Sequence, residues 1–344
     1  MVTEERSGPD KSVRVTIRDV AQRVGVSSAS VSYAMSGRPG VSEDLRDRVL
    51  TAAEDLGYRP NKVAQQLRRG RTDAVGLLFA DIANPFYPDL ASGVIAAATL
   101  EGFEVFVSNV GINGERQTEA AMAQLDRNSA GLLFTSVADQ DRDLLESLTR
   151  RGVPFVQLHR VLEGAAADSV VVDNLAAARE LAQHVAGTGR KRVAVLGGAG
   201  ASSVSRDRER GFREGLAMEG ATVVNEDGLW GALTRESGAA RARTLLSAGQ
   251  QVEAVLCGND MIAVGVLDVC RERGLRVPED LAVAGFDDMS FSSAGPLQLT
   301  TVTVPREMMG RRGFELLLRR IQGYDGPRER IVLPHVLQVR ETTG

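Results

Sequence analysis

The chain has 344 residues, 43% of them hydrophobic and 25% charged, with a formal net charge of −4. That length exceeds one compact domain, and the composition is that of an ordinary globular protein rather than a fibrous or low-complexity one. No apolar run reaches the length of a membrane span, and the two cysteines, Cys257 and Cys270, cannot build a disulfide framework, so free thiols in a cytoplasmic, non-membrane protein are expected.

The charge is unevenly spread. Residues 1–72 hold 13 Lys+Arg against 9 Asp+Glu, and the remainder 28 against 36. A basic head on an acidic body suits a polyanionic partner, although a solvated charged surface gives similar sums. Residues 1–13 are polar and lack the apolar core of a secretory signal; a disordered tail is expected there.

From 16 to 57 the pattern is helical. Thr16 with Asp19 resembles a capping box opening IRDVAQRV, and Gly25 ends that helix. Ser27 or Ser28 caps a second helix ending at Met35. Ser42 caps a third, with acids in its first turn and Val49, Ala53 and Leu56 turned inward. Ala21 is small where two helices cross, Gly25 permits the turn, and Val20, Val26 and Val31 can pack between them. This is a helix-turn-helix over residues 14–58; a purely structural hairpin shares the pattern, and the basic head favours DNA binding. Next comes PNKVAQQLRRG, within a hinge or linker at 59–71. Pro60 suits a first helical turn and Gly70 a stop, but about two and a half turns fall short of the roughly 12–15 residues an isolated helix needs. Something outside the segment must hold it.

After Thr72 short apolar runs alternate with amphipathic segments: AVGLLFAD then PDLASGVIAAATLEG, FEVFVSNV then ERQTEAAMAQLDRN, and later RVAVLGG, EAVLCG and LAVAGFDD among their helices. The alternation predicts parallel sheets with helices on both faces, in two similar halves because the units are too many for one open sheet. Ligands bind such folds at the carboxyl ends of strands, which makes the cleft between halves the natural site. Catalytic signatures are lacking. The three histidines, His159, His184 and His335, show no metal-ligand spacing, no GxSxG elbow or GxxxxGK[ST] loop occurs, and RVAVLGGAGASSVS breaks the G-x-G-x-x-G pattern at Ser203. No enzyme activity, cofactor or metal is expected.

VTIRDVAQRVGVSSASVSY, GYRPNKVAQQL and DIANPFY, followed by VLCGNDMIA, AGFDD, LTTV and VRETT, resemble the LacI-type (lactose-repressor/galactose-repressor) family of bacterial transcription regulators. The motifs stand in family order over nearly the whole chain after about residue 14. The resemblance implies an N-terminal all-α helix-turn-helix head and an α/β, periplasmic-binding-protein-like body of two doubly wound parallel-sheet subdomains, expected over 72–168 with 303–323 and over 169–302 with 324–344. It implies a homodimeric regulator, most often a repressor, that reads a pseudo-palindromic operator in double-stranded DNA and answers a sugar-like effector. The chain stops at Gly344 without a trailing leucine-heptad segment, which makes a dimer the expectation. Two rivals stay open: a solute-binding protein sharing the two-lobed body, and a regulator of a purine-like or other non-sugar ligand.

By the same resemblance, Ser28 and Ala29 read bases from the start of the second helix, while Ser27, Ser32 and Thr16 contact phosphates. In the family the 59–71 segment is a hinge helix that folds on the operator and pairs with its copy, Leu67 wedging into the minor groove beside Ala64 and Asn61 meeting the backbone. Arg208, Asn259 and Asp287 occupy effector-contact positions, with Phe86 as an apolar platform; each has a structural alternative as an ion pair or core aromatic. Three positions depart from the pattern. Tyr33 stands where arginine is usual and cannot reproduce its two-pronged grip on guanine, so the half-site differs there or Tyr33 packs near the backbone. His159 stands where aspartate is common, which places it at the effector site with a changed charge. Trp230 either stacks on a sugar or covers a core.

Overall fold

The computed structural model describes residues 15–35, 40–58, 72–112, 114–225, 230–247, 251–295 and 297–344. The chain forms two compact units, Met1–Arg71 and Thr72–Gly344. The tail expected over 1–13 and the hinge expected over 59–71 lie outside the described residues.

The first unit contains α1 (Ile17–Val24), α2 (Ser28–Met35) and α3 (Glu43–Asp55). At the start of α1 the Thr16 backbone N–H and hydroxyl both donate to the Asp19 carboxylate, at 2.7 and 2.8 Å. Gly25 ends the helix in the left-handed region at φ 79°, which a side chain would resist. Ser27 is the cap of α2, its Oγ accepting from the Ser30 N–H at 3.0 Å. Ser42 caps α3 through the Leu45 N–H. Arg48 on α3 donates to the Val24 carbonyl at 3.0 Å, placing a cation at the negative end of α1. Val20, Ala21, Val31, Ala34, Val49, Ala52 and Ala53 form the buried core, with Val26 and Leu56 packed at its margin.

The second unit holds two open sheets. Strands β1 (Ala74–Phe79), β2 (Glu104–Asn109), β3 (Leu132–Phe134), β4 (Phe155–Leu158) and β5 (Asp168–Val172), with the late strand β11 (Arg330–Leu333), form an all-parallel sheet in the order β2-β1-β3-β4-β5-β11. Strands β6 (Arg192–Leu196), β7 (Thr222–Val223), β8 (Ala254–Cys257) and β9 (Ala282–Ala284) form a second parallel sheet, ordered β7-β6-β8-β9. A short antiparallel pair, β10 (Thr301–Thr303) with β12 (Val336–Gln338), completes the strands. The runs of β1, β3, β4 and β8 are buried throughout because helices cover both faces. Those helices are α4 (Phe86–Leu100), α5 (Gln117–Asp126), α6 (Arg142–Arg150), α7 (Asn174–Gly187), α8 (Ser203–Met218), α9 (Arg235–Ser247), α10 (Asp260–Arg273) and α11 (Arg306–Ile321).

The subdomain boundaries expected at 168/169 and 323/324 need correction. β5 pairs with β4 and β11, Val156 facing Asp168 and Val170 facing Ile331, so residues 169–172 and 330–333 complete the first sheet. A buried ion pair fixes this arrangement: Arg320 on α11 grips Asp168 at 2.6 and 2.8 Å, and the Glu329 N–H donates to the same carboxylate. α11 in turn crosses α4 at van der Waals distance. A Cβ on Gly310 would lie 2.1 Å from the Leu90 carbonyl oxygen, and one on Gly93 would lie 2.0 Å from that of Glu307, so only glycine permits the approach. Cys257 and Cys270 are buried free thiols. Among the described residues no helix is long and apolar enough to cross a membrane.

Candidate functional site

In the first unit, α2 divides into two faces. Val31 and Ala34 point into the core. Ala29 and Tyr33 are exposed and Ser28 and Ser32 half-exposed, and both pairs stand four residues apart on the opposite face. Exposed Ser27 and Thr16 flank its start, their hydroxyls engaged with Ser30 and Asp19. Six of the nine expected DNA contacts thus lie on the outward side of α2 or at the starts of α1 and α2. Asn61, Ala64 and Leu67 lie outside the described residues.

The second unit has its polar centre where the carboxyl ends of both sheets face each other. Chain leaving β1 supplies Asn84, Phe86 and Tyr87; chain leaving β4 supplies His159 and Arg160. From the other lobe come Ser202, Val204, Ser205 and Arg208 at the start of α8, Leu233, Gly258 after β8 and Asp287 after β9. The cavity measures about 10 Å³, room for about one water. One hydrogen bond spans the lobes at its edge, from the Val161 N–H to Ser203 Oγ at 3.3 Å.

Arg208 is the organising residue. It is 3% exposed, and each guanidinium nitrogen has a partner: Nε donates to Asn174 Oδ1 at 2.9 Å, Nη1 to the Gly258 carbonyl at 2.6 Å, and Nη2 to Asp287 Oδ1 at 2.7 Å. Its carbon end lies 3.7 Å from the centroid of the Phe286 ring, over the face. Asp287 adopts φ 101°, a left-handed conformation unusual for a side-chain-bearing residue, which marks a position held by its surroundings. Its backbone carbonyl accepts from Arg306, whose Nε also reaches Asp89 on α4 at 3.0 Å. Arg306 thus links the loop after β9 to a helix of the first sheet. Burial pushes the Asp287 carboxyl upward, against the charge and hydrogen bond of Arg208.

Phe86 and His159 meet across the floor with ring centroids 4.2 Å apart. Burial first, then the positive charges of Arg208 and Arg160, hold the His159 imidazole well below its usual value, so the ring is neutral. It presents an aromatic face and one N–H, where an aspartate would have brought a charge.

Four of the five expected effector residues, Phe86, His159, Arg208 and Asp287, come together around this cavity. Asn259 does not. It is wholly buried as the cap of α10, with Oδ1 accepting from the Ile262 N–H at 3.0 Å and Nδ2 donating to the Leu233 carbonyl at 3.2 Å. Here its acceptor is spent on capping the helix. Trp230 is 41% exposed and packs over Gly200, while Leu233 takes the place in the cavity wall. Sequence reasoning passed over Arg160 and Ser205. The one signal for Arg160 was its place just past the carboxyl end of a buried strand, where ligands bind in such folds.

The profile described as bacterial regulatory proteins, lacI family, matches residues 16–61, and that of a periplasmic binding protein-like domain matches residues 182–343. Catabolite control protein A of Priestia megaterium is 31% identical over 96% of this chain and 100% of its own length. The lac repressor dimer bound to operator and the anti-inducer ONPF superposes with a TM-score of 0.87 at 29% identity, covering 96% of this chain and 99% of that one. A complex of the transcriptional regulator CelR with cellobiose superposes with a TM-score of 0.70 at 32% identity, covering 96% and 100%.

Proposed function

Since this chain belongs to the lacI family of bacterial regulatory proteins, we propose that it is a cytoplasmic repressor whose homodimer binds a pseudo-palindromic operator and whose operator affinity is set by a sugar-like effector in the body's cleft. It is a DNA-binding transcription regulator and not an enzyme, as its relatives are. The observation that carries the reading is the two-faced α2, with Val31 and Ala34 buried and Ser28, Ala29, Ser32 and Tyr33 turned outward. A short helix presenting small and polar side chains at its N-terminal end fits the major groove, and two copies on a two-fold axis fit half-sites about one helical turn apart. Asn61, Ala64 and Leu67 are proposed to follow through the minor groove.

The second copy has a natural seat. β2 is an edge strand whose Phe106 and Val107 are 40% and 43% exposed, beside Ile95 and Leu100 on α4 at 44% and 85%. Exposed apolar side chains on an edge strand suit a partner copy. For the effector, the CelR–cellobiose complex supports a sugar, and the arrangement of aromatic floor and paired polar groups suits hydroxyls. Because the cavity holds about one water, effector entry requires the lobes to move apart, which gives the ligand two states to distinguish.

Selection of binding sites from random duplexes by the full chain tests the reading. It should enrich one pseudo-palindrome, and enrichment of nothing, or of an unsymmetrical site, would overturn it. A thermal-shift screen of sugars and purines then identifies the effector class.

A further inference from the structure

Arg160 follows β4 and forms part of the cavity wall, 6% exposed. Its neighbour across the cavity, Arg208, has an acidic partner at 2.7 Å and three hydrogen bonds. Arg160 has neither. Its Nε is buried without any hydrogen-bond partner, and among the described residues no carboxylate forms an ion pair with it. Asp287 is committed to Arg208, which leaves Arg160 without an acidic partner in the wall.

A second element points the same way. α8 is sixteen residues long and begins at the cavity, with Ser202, Val204 and Ser205 lining it. Its unsatisfied amides and its dipole give that end a positive potential. A guanidinium with a buried, unpartnered Nε and no acidic partner lines one small space with a helix N-terminus. A neutral hydroxyl offers either of them a single weak acceptor. A phosphate or carboxylate matches the guanidinium fork with two charged acceptors and sits well at the helix end.

We propose that the effector carries an anionic group, a phosphate or a carboxylate, which docks between Arg160 and the start of α8. This rests on the reading of the cleft as the effector site. It narrows the ligand class to acidic sugar derivatives, with the sugar ring on Phe86 and His159 and the anion at Arg160.

The test uses full-length protein, wild type and Arg160→Gln, in thermal-shift and calorimetric titrations at constant ionic strength. The probes are inorganic phosphate alone and matched sets of a hexose, its monophosphate and its uronic acid. Phosphate should raise the Tm of the wild type and not of the variant. One charged hexose should bind at least tenfold tighter than its neutral counterpart, a preference the variant loses and Arg160→Lys keeps in part. The phosphate member leading indicates a phosphorylated effector, and the uronic acid leading a carboxylated one. Without ligand, Arg160→Gln should melt no lower than the wild type, because it removes an unpaired buried charge. Neutral and charged hexoses binding equally in both proteins would overturn the anion site and leave the sugar reading intact. Phosphate protection that depends on Arg160, with no sugar binding at all, would sustain the anion site and end the sugar reading. No protection by any probe contradicts both.

Discussion

Arg208 shows why a residue placed in a ligand site can be expensive to remove for other reasons. Arg208→Ala leaves the buried Asp287, the Asn174 oxygen and the Gly258 carbonyl without their donor. Breaking a buried pair from one side costs about 3–5 kcal/mol. Urea denaturation should show a loss of that size, and a loss under about 1 kcal/mol would mean that the pair is better solvated than it looks. Asp260 gives a pH prediction. It is wholly buried at the start of α10, and burial pushes it up to about 7 against hydrogen bonds from Ser292 Oγ, Thr301 Oγ1 and the Met289 N–H, the Asp287 charge adding to the rise. An aspartate that ionises near ~4 unfolded and near 7 folded binds more protons folded than unfolded between those values. The stabilisation is therefore complete below about pH 4 and declines as pH rises to about 7, by roughly 1.4 kcal/mol per unit at most. Asp260→Asn should flatten the slope of stability between pH 5 and 7; an unchanged slope would assign it to another group. Single residues were the least legible level in the sequence. Arg208, Asp287, Phe86 and His159 could be placed because a motif surrounds each, but motif position does not say which way a side chain turns. Asn259 occupies a family effector position and faces its own helix. Arg160, with no motif of its own, is marked in the sequence only by its place after a strand; its missing partner is a three-dimensional fact.

Elements were the most legible. Caps at Thr16, Ser27 and Ser42 and the stop at Gly25 are local chemistry, and the sequence displays them directly. Ser42→Ala should destabilise α3 by about 1 kcal/mol in a urea titration of the head's helical signal, since it frees the Leu45 N–H. The crossing of α4 and α11 was not legible, because Gly93 and Gly310 read as ordinary helix weaknesses until the partner helix is known. Gly310→Ala should cost more than the same change at an open position, about 1–3 kcal/mol, through overpacking against the Leu90 carbonyl. A neutral or stabilising result would show that the crossing yields without cost. On α2, Tyr33 is 46% exposed on the outward face. Tyr33→Arg should move the selected operator toward guanine at one base of each half-site, by about 1–3 kcal/mol of discrimination. An unchanged sequence logo would make Tyr33 a backbone neighbour only.

For the whole molecule, strand–helix alternation announced two parallel-sheet lobes, while the boundaries taken from the family resemblance put residues 169–172 and 330–333 in the wrong one. Alternation reports that a strand is buried on both faces and is silent about which sheet accepts it; the Arg320–Asp168 pair decides that, across 152 residues of sequence. Regulation is also a property of the whole molecule: binding in the body changes how the head holds its operator. It is tested most directly by fluorescence anisotropy of the full chain on its selected operator and on a scrambled duplex, each with and without the ligand found by thermal shift. The ligand should change the operator Kd at least fivefold, in either direction, and leave the scrambled duplex nearly unaffected, as differential binding to two states requires. Equal Kd values with and without a ligand that demonstrably occupies the cleft would contradict it.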